Sequence, residues 1–354
     1  MTVAARRLAA QLLTGPPADS PEAVVQRLLA VQAQDGRGFR LAVRSRSSVP
    51  SAADVDAALT DRRTLVVSWL NRGTLHLVGA DDYWWLHQLT APRLVTANTR
   101  RLRQEGVSER QADRGVDTVM SELAAGPRTR AELRVALRDA GVPTDGQALV
   151  HVLMAASVRH RVVRGPVVDG EQAFVDASTW LPAPVPVDRD EALCRLAVRY
   201  LAGHGPAGER DLATWAGVSL GDARRGLSMA TAELSNTAGL LDLREKGAAT
   251  AMPPPRLLGS FDPVLHGWCD RSFLTGRHTG VVTTNGLFRP FALVRGRAVA
   301  TWSLRDGRVA LAPLAPISQA DLVALRADAA AVVGFLGVPG LPGSHAGRMP
   351  VSSR

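Results

Sequence analysis

The stretch that decides the fold lies at residues 64–78 and reads TLVVSWLNRGTLHLV. Runs rich in β-branched and apolar residues flank a turn at Asn71-Arg72-Gly73, and this pattern predicts a β-hairpin with glycine in its turn. Two helices are predicted ahead of the hairpin. The first opens at Ser20-Pro21-Glu22 and ends near Gly36, and the second opens with a capping box at Ser51-Ala52-Ala53-Asp54. Helices followed by a hairpin are typical of a winged helix.

The same order of elements is repeated twice further along the chain. A long helix predicted from Asp81 to Gln104 separates the first copy from the second. In the second copy, helices are predicted at 113–125, from the capping box at 129–132, and at 144–160. Two short strands are predicted after them, at 161–164 and at 173–176. In the third copy, helices are predicted at 191–201, at 209–216 and from the cap at Ser219, and a strand is predicted at 240–243.

The residues after Pro253-Pro254-Pro255 change to a strand pattern. Turns at Asn285-Gly286, Arg295-Gly296 and Asp306-Gly307 separate apolar runs, and Asn-Gly is the strongest short hairpin signal. This meander predicts a small β-barrel, closed by a helix from Ser318 to Phe335.

The sequence therefore predicts an α+β fold with three tandem winged-helix units and a C-terminal β-barrel. The predicted divisions are winged helix 1 at 1–80, a linking helix at 81–112, winged helix 2 at 113–182, winged helix 3 at 183–252, the barrel with its closing helix at 253–336, and a flexible tail at 337–354.

Positive charge is the first indication of a partner. The formal net charge is +9 and the pI is about 10.9. Arginines gather in stretches that contain no acid, at 36–53, 159–164 and 271–305, which favours a polyanion such as nucleic acid. The candidate DNA-binding residues from these stretches are Arg37, Arg40, Arg44, Arg161, Arg164 and Arg289.

Several classes of protein are excluded by what the sequence lacks. The two cysteines, Cys194 and Cys269, can form neither a disulfide framework nor a zinc site. There is no P-loop, no Gly-x-Gly-x-x-Gly after a strand and no His-Glu-x-x-His, so we expect no metal and no cofactor. No apolar run is long enough to span a membrane and no signal peptide is recognisable, so we expect a cytoplasmic protein with no membrane partner.

Two glutamines stand out near the end of the first predicted helix. Val25, Leu28 and Leu29 share a helical face with Gln32, which therefore extends an apolar stripe, where an amide needs partners or a purpose. Gln34 would lie at the helix end. A structural role, in which both amides bond to the last carbonyls of the helix, stays open beside a functional one.

Three blocks of sequence resemble one family. Gln32-Ala33-Gln34 matches the Gln-x-Gln motif of the AlkZ/YcaQ-like winged-helix DNA glycosylases. Residues 72–78 resemble the first-wing signature of that family, and residues 261–271 with 286–290 are similar to its C-terminal block. The blocks occur in the family's order and span nearly the whole chain.

The resemblance implies a C-shaped cleft around duplex DNA and monofunctional excision of alkylated purines. The implied substrates include bulky N7-guanine adducts and crosslinks made by DNA-damaging natural products, and the Gln-x-Gln branch resembles antibiotic self-resistance enzymes. Gln32 and Gln34 would be catalytic, through positioning and electrostatics, because a neutral amide is a poor base. Asp35 is an alternative base, expected to point to solvent.

The resemblance also implies how the chain meets DNA. Arg72 in the first wing would contact the duplex, and one of the barrel hairpins would probe a groove. Of the three turns, the one with Thr284 and Asn285 at its tip is the candidate, and a role as a plain solvent-exposed turn stays open beside it. We expect a monomer that acts on double-stranded DNA containing an alkylated purine.

Two other functions remain compatible with the sequence. One is a non-catalytic winged-helix regulator, whose recognition helix would carry Arg224 and Arg225 after Ser219. The other is a protein that sequesters the adduct without turnover.

Overall fold

The computed structural model describes residues 2–244, 251–276, 280–283 and 286–337. Its helices are α1 (Val3–Ala10), α2 (Pro21–Leu28), α3 (Gly36–Arg44), α4 (Ala52–Thr60), α5 (Ala80–Gln104), α6 (Glu109–Ala124), α7 (Arg130–Asp139), α8 (Ala148–His160), α9 (Ala177–Trp180), α10 (Arg189–His204), α11 (Glu209–Ala216), α12 (Leu220–Met229), α13 (Ser272–Thr275) and α14 (Gln319–Phe335). Its strands are β1 (Val31–Gln32), β2 (Leu65–Leu70), β3 (Thr74–Gly79), β4 (Val162–Val168), β5 (Glu171–Asp176), β6 (Leu234–Thr237), β7 (Leu240–Leu243), β8 (Arg256–Leu258), β9 (Phe291–Val294), β10 (Arg297–Arg305) and β11 (Arg308–Pro313).

Helices begin where the sequence predicts them at Ser20, Ser51, Thr129 and Ser219, because an N-cap is a local interaction, whereas α6 begins four residues before the predicted start at 113 and α8 four residues after the predicted start at 144. The side chain of Ser20 accepts a hydrogen bond from the backbone N–H of Ala23 at 3.1 Å. Capping boxes are present at Ser51 and at Thr129, and the Ser219 hydroxyl accepts from the N–H of Asp222 at 3.0 Å. The long helix α5 occupies the predicted span.

The predicted hairpin at 64–78 is confirmed, and it belongs to a larger sheet than its own segment supplies. Five antiparallel strands lie in the order β1-β3-β2-β4-β5. The second hairpin, β4–β5, joins the first where Val67 pairs with Arg164. A third hairpin, β6–β7, stands apart as a two-stranded sheet. Three helix–hairpin segments are thus present, and their assignment as winged helices stays a prediction.

The predicted helix through Gln32 to Gly36 is wrong. Helix α2 ends at Leu28 because Leu29 adopts φ 65°, a left-handed conformation that stops the helical hydrogen-bond pattern. The chain then extends as β1, and Gln32 pairs with His76 of β3. A new helix, α3, begins at Gly36. Gln32 is therefore a residue of an edge strand and not of a helical stripe.

The C-terminal strands form an open sheet. The described residues give the order β11-β10-β9-β8, with β11 and β8 at its two edges, so the closed barrel of the prediction is not found. Helix α14 packs on β8, next to the edge that closure would require. Of the hairpin predicted around Asn285-Gly286, the described residues contain a single bridge between Val282 and Phe288.

The C-terminal sheet shares its core with the beginning of the chain. Buried side chains of α2 and α3, such as Val24 and Phe39, belong to one cluster with Leu257 of β8, Trp302 of β10 and Leu325 of α14. The segment that carries the two glutamines is therefore the edge of the five-stranded sheet, and the helices before and after it, α2 and α3, share a core with the C-terminal sheet. No helix among the described residues is long and apolar enough to cross a membrane.

Candidate active site

Gln32 and Gln34 lie at the edge of the five-stranded sheet. Gln32 is 6% exposed, whereas Gln34 is exposed. The Nε2 of Gln32 donates to the Oε1 of Gln34 at 2.6 Å, and the Oε1 of Gln32 accepts from the Nη2 of Arg72 at 3.2 Å. A chain of hydrogen bonds thus runs from Arg72 through Gln32 to Gln34. It fixes the buried amide and leaves the other one at the surface.

Two buried histidines lie beside this chain. Burial, followed by the charge of Arg72, lowers the pKa of His76 to about 3, and its Nδ1 is 2.9 Å from the carbonyl oxygen of Thr74. Burial also holds the pKa of His266 well below its usual range, with Arg72, His76 and Arg271 as further causes. Both rings are therefore neutral near pH 7, and they can form hydrogen bonds but cannot act as cationic acids.

Two arginines add positive charge to the same place. Desolvation and then the charge of Arg271 lower the pKa of the Arg72 guanidinium. The Arg271 guanidinium lies 5.5 Å from the centre of the Phe288 ring, and its Nε is buried without a hydrogen-bond partner among the described residues. The side-chain amide of Asn71, which is 2% exposed, likewise has no hydrogen-bond partner among the described residues. The unsatisfied Nε of Arg271, close to the charge of Arg72, is suited to an acceptor that arrives from outside the chain.

A buried ion pair holds the loop that carries His266. Arg46 and Asp262 have fully buried side chains and are joined by hydrogen bonds of 2.7 and 2.9 Å. The same carboxylate accepts from the N–H of Val264 at 3.0 Å, which fixes the turn just before His266. Gly38 supports this packing, because a Cβ there would lie 2.4 Å from the carbonyl oxygen of Ser260. The loop and the segment carrying the glutamines are therefore locked together.

Similarity to known proteins identifies the family of this chain. A model described as "DNA glycosylase AlkZ-like" matches residues 25–335. The chain belongs to the AlkZ-like DNA glycosylase family. It is 29% identical to the interstrand DNA cross-link repair glycosylase of Streptomyces sahachiroi. The alignment runs over 367 residues and covers 96% of this chain and 97% of that protein. Among solved structures, the Streptomyces sahachiroi DNA glycosylase AlkZ matches with a TM-score of 0.78 and 26% identity, over 96% of this chain and 97% of that one.

These findings confirm the family that the sequence blocks indicated, and the chain is an enzyme, a DNA glycosylase. The mixed helical and sheet architecture agrees with that of the AlkZ structure. The motif residues Gln32 and Arg72, far apart in the sequence, are hydrogen-bonded in this AlkZ-like glycosylase.

The arginines of the first basic stretch differ in how free they are. Arg37 is exposed. The Nε of Arg40 donates to Asp56 at 2.8 Å, and Arg44 forms an ion pair with Asp328 at 2.6 Å. The stretch contains no acid, but the fold of the glycosylase brings acids to it from elsewhere in the chain. The charge of Arg40 and Arg44 is therefore compensated.

The other predicted DNA contacts occupy several surfaces. Arg161 is exposed, with its guanidinium 5.6 Å from the centre of the Trp84 ring. Arg164 is half-buried against Phe174, and Arg289 is exposed. Thr284 and Asn285, the predicted hairpin tip, lie outside the described residues.

A cavity opens beside Gln34. Its volume is about 230 Å³, and its lining residues are Gln34, Trp69, Leu75, Arg130, Val150, Leu153, Arg164 and Phe174. The cavity could not be foreseen from the sequence, because its walls come from β2, β3, β4, β5, α7 and α8. The nearness of His76, His266 and Arg271 to this site was likewise not predictable from sequence motifs. The register of β1 on β3, which sets Gln32 opposite His76, is the signal that would have found the first of them.

Proposed function

We propose that this glycosylase hydrolyses the N-glycosidic bond of purines alkylated at N7, including bulky adducts and crosslinks. The hydrogen-bonded chain from Arg72 through Gln32 to Gln34 is the observation that carries this proposal. It supplies an oriented neutral amide at the surface, beside cations that suit a phosphate backbone. A relative named for repair of interstrand crosslinks in DNA supports the substrate class.

The chemistry of the leaving group fits such a site. A purine alkylated at N7 is already cationic, so it departs as a neutral base without a general acid. Positive charge then develops on the sugar, as in other glycoside hydrolyses, and a water molecule must capture it. The enzyme has to place that water and stabilise that charge, and strong proton abstraction is not required.

Gln34 is the residue that would do this. Its Oε1 accepts one hydrogen bond from Gln32, and a carbonyl oxygen has a second lone pair with which to accept from water. The same oxygen presents partial negative charge to the sugar. Asp35, the alternative base, has a structural role, since its Oδ1 accepts from the N–H of Gly38 at 2.8 Å and caps α3.

The way DNA is held forms part of the proposal. Three winged-helix units, at 1–80, 113–182 and 183–252, together with the C-terminal sheet, would form a C-shaped cleft in which a monomer binds the duplex. The hairpin whose described part includes Val282 and Phe288 would probe a groove. Its Phe288 ring centre lies 4.0 Å from that of His266, and the neighbouring Leu287 is 57% exposed, as suits an apolar wedge.

The observations favour catalysis over a regulator. Arg224 and Arg225 of α12, which a regulator would use to read bases, form ion pairs with Glu209 and Asp190. Cations held by carboxylates on the surface of their own protein are less available to DNA.

The test is incubation with a duplex that contains one N7-methylguanine, and a second duplex with a bulky N7-alkylguanine. We expect free alkylated base and an abasic site, detected as strand breakage after alkali. Binding without release of base would overturn the proposal and leave the sequestering function.

A further inference from the structure

We propose that the cavity beside Gln34 binds the substituent carried by the damaged base, and that this substituent is a planar aromatic group bearing an oxygen acceptor. The inference rests on the proposed excision of N7-alkylated purines and names the part of the substrate that distinguishes one lesion from another.

The walls of the cavity are suited to an aromatic ring. Trp69 and Phe174 lie with their ring planes 18° apart and their centres at 6.4 Å, and both are almost fully buried. Leu75, Val150 and Leu153 add aliphatic surface. A space of about 230 Å³ with such walls favours an apolar group of more than a few atoms.

Two guanidinium groups give the cavity a polar end. The Nε of Arg164 is buried and has no hydrogen-bond partner in the part of the chain that the structure describes. Burial and then the charge of Arg130 lower the pKa of Arg164 to about 10, and Glu171 offsets this only in part. Like charges that approach one another in a desolvated place favour a ligand with an oxygen acceptor, and most of all a carboxylate.

The same charge decides which part of the lesion enters. A purine alkylated at N7 is cationic before cleavage, and two arginines would repel it. A neutral or anionic substituent is attracted instead. The occupant is therefore the group attached to the purine and not the purine itself.

The position of the cavity agrees with this assignment. Gln34 borders the cavity and also forms the hydrogen-bonded pair with Gln32. A sugar placed at the pair has its base next to Gln34, so a substituent of that base reaches the cavity directly. Main-chain bonds between Arg128 and Phe174, at 3.1 and 2.7 Å, hold the start of α7, with Arg130, against this wall.

The test uses duplexes that carry N7-methylguanine, N7-benzylguanine or N7-(4-carboxybenzyl)guanine. Single-turnover excision is measured on each, and affinity is measured on versions made uncleavable by 2′-fluorination of the sugar. Val150→Trp places a ring in the cavity from a half-buried position. Val135→Trp is its control, because Val135 is 60% exposed on α7 and lines no part of this cavity. Arg130→Gln removes one cation, and Arg134→Gln is the control on the same helix.

We expect the wild-type protein to bind and excise the carboxybenzyl lesion best. Val150→Trp should lower excision of both aromatic lesions about tenfold relative to excision of N7-methylguanine, an effect of the size that pocket contacts supply. Arg130→Gln should lose the preference for carboxybenzyl over benzyl, and both controls should keep the wild-type pattern.

Equal treatment of the three lesions by the wild-type protein, or an unchanged pattern in Val150→Trp, would overturn the assignment of the cavity while excision of N7-methylguanine stands. If the wild-type protein excises none of the lesions, the proposed function itself fails. The affinities for the uncleavable duplexes then still decide whether the cavity recognises the aromatic acid.

Discussion

Arg46, which follows α3, and Arg72, in the turn between β2 and β3, are two arginines with opposite surroundings. Arg46 is 1% exposed, and its donors reach Gln11, Ala42, Ser45 and Asp262 at 2.7–3.2 Å. Arg72 keeps exposed surface although neighbouring protein atoms partly desolvate its guanidinium, and it donates to Gln32, an amide of the candidate site, beside a second cation. A cation whose donors are all used stabilises the fold, whereas a cation that is grouped with another one favours an anionic ligand.

The largest effect that this comparison predicts is on stability. Asp262→Ala leaves the Arg46 guanidinium buried without its carboxylate, and we expect a loss of about 3–5 kcal/mol in the free energy of unfolding. Urea denaturation measures it. The control is Asp56→Ala, which removes the less buried partner of Arg40 and should cost less than about 1 kcal/mol. Equal losses in the two variants would contradict a structural role that is special to Arg46.

The second effect is on the rate of catalysis and leaves DNA binding nearly unchanged. Gln34→Ala and Gln32→Ala should each slow base release by roughly 10- to 1000-fold, as expected when one preorganised electrostatic contact is lost. Affinity for the duplex should be nearly unchanged, because phosphate contacts come from arginines. Gln319→Ala, at the exposed start of α14, serves as the control. Wild-type excision by the double variant would remove both glutamines from the mechanism.

A third effect concerns pH. His76 has a pKa of about 3 in the folded protein against an ordinary value of 6.5, so the unfolded chain takes up a proton first as the pH falls. Its contribution to stability is complete above pH 6.5 and is lost progressively between 6.5 and 3, by about 2 kcal/mol at pH 5. Unfolding of the wild type, His76→Gln, His266→Gln and the double variant at pH 7.5 and 5 isolates this contribution, since His266 is the histidine whose pKa His76 itself affects. Parallel losses would show that His76 is not the group responsible.

The smallest effect separates free from paired cations. Arg72→Ala should weaken DNA binding and reduce the slope of log K against log salt by about one, the value for a single phosphate contact. Arg44→Ala should leave the slope nearly unchanged, because Asp328 already neutralises that guanidinium. Titrations at several salt concentrations measure both slopes. A reduction in the slope that is as large for Arg44 as for Arg72 would make ion pairing irrelevant to DNA contact.

Local chemistry explains what could be predicted from the sequence. Caps such as Ser51 and Thr129, and the hairpin turn at Gly73, are decided by side chains within a few residues, so these elements lie where the sequence places them. The Gln-x-Gln motif could be recognised because its residues are contiguous. Its position on a strand could not, because the positive φ of Leu29 ends α2 without a glycine or proline to announce it.

Long-range contacts explain what was missed. Arg44 and Asp328 are 284 residues apart, and Arg46 and Asp262 are 216 apart, so a search for acids near each arginine finds neither partner. The barrel was inferred from a run of turns, yet turns determine only neighbouring strands. Whether the first strand of a sheet meets the last depends on packing, and here α14 lies on β8.

The joining of two hairpins into one sheet has a consequence for dissecting the molecule. Strand β2 is an interior strand only because β4, a strand from a later segment, lies against it. A fragment cut at residue 80 would expose β2, whose six residues are all buried, as an apolar edge with unpaired backbone groups. Such edges template aggregation. A soluble fragment of this protein should therefore extend through β5, to at least residue 176, so that β2 keeps both of its neighbours.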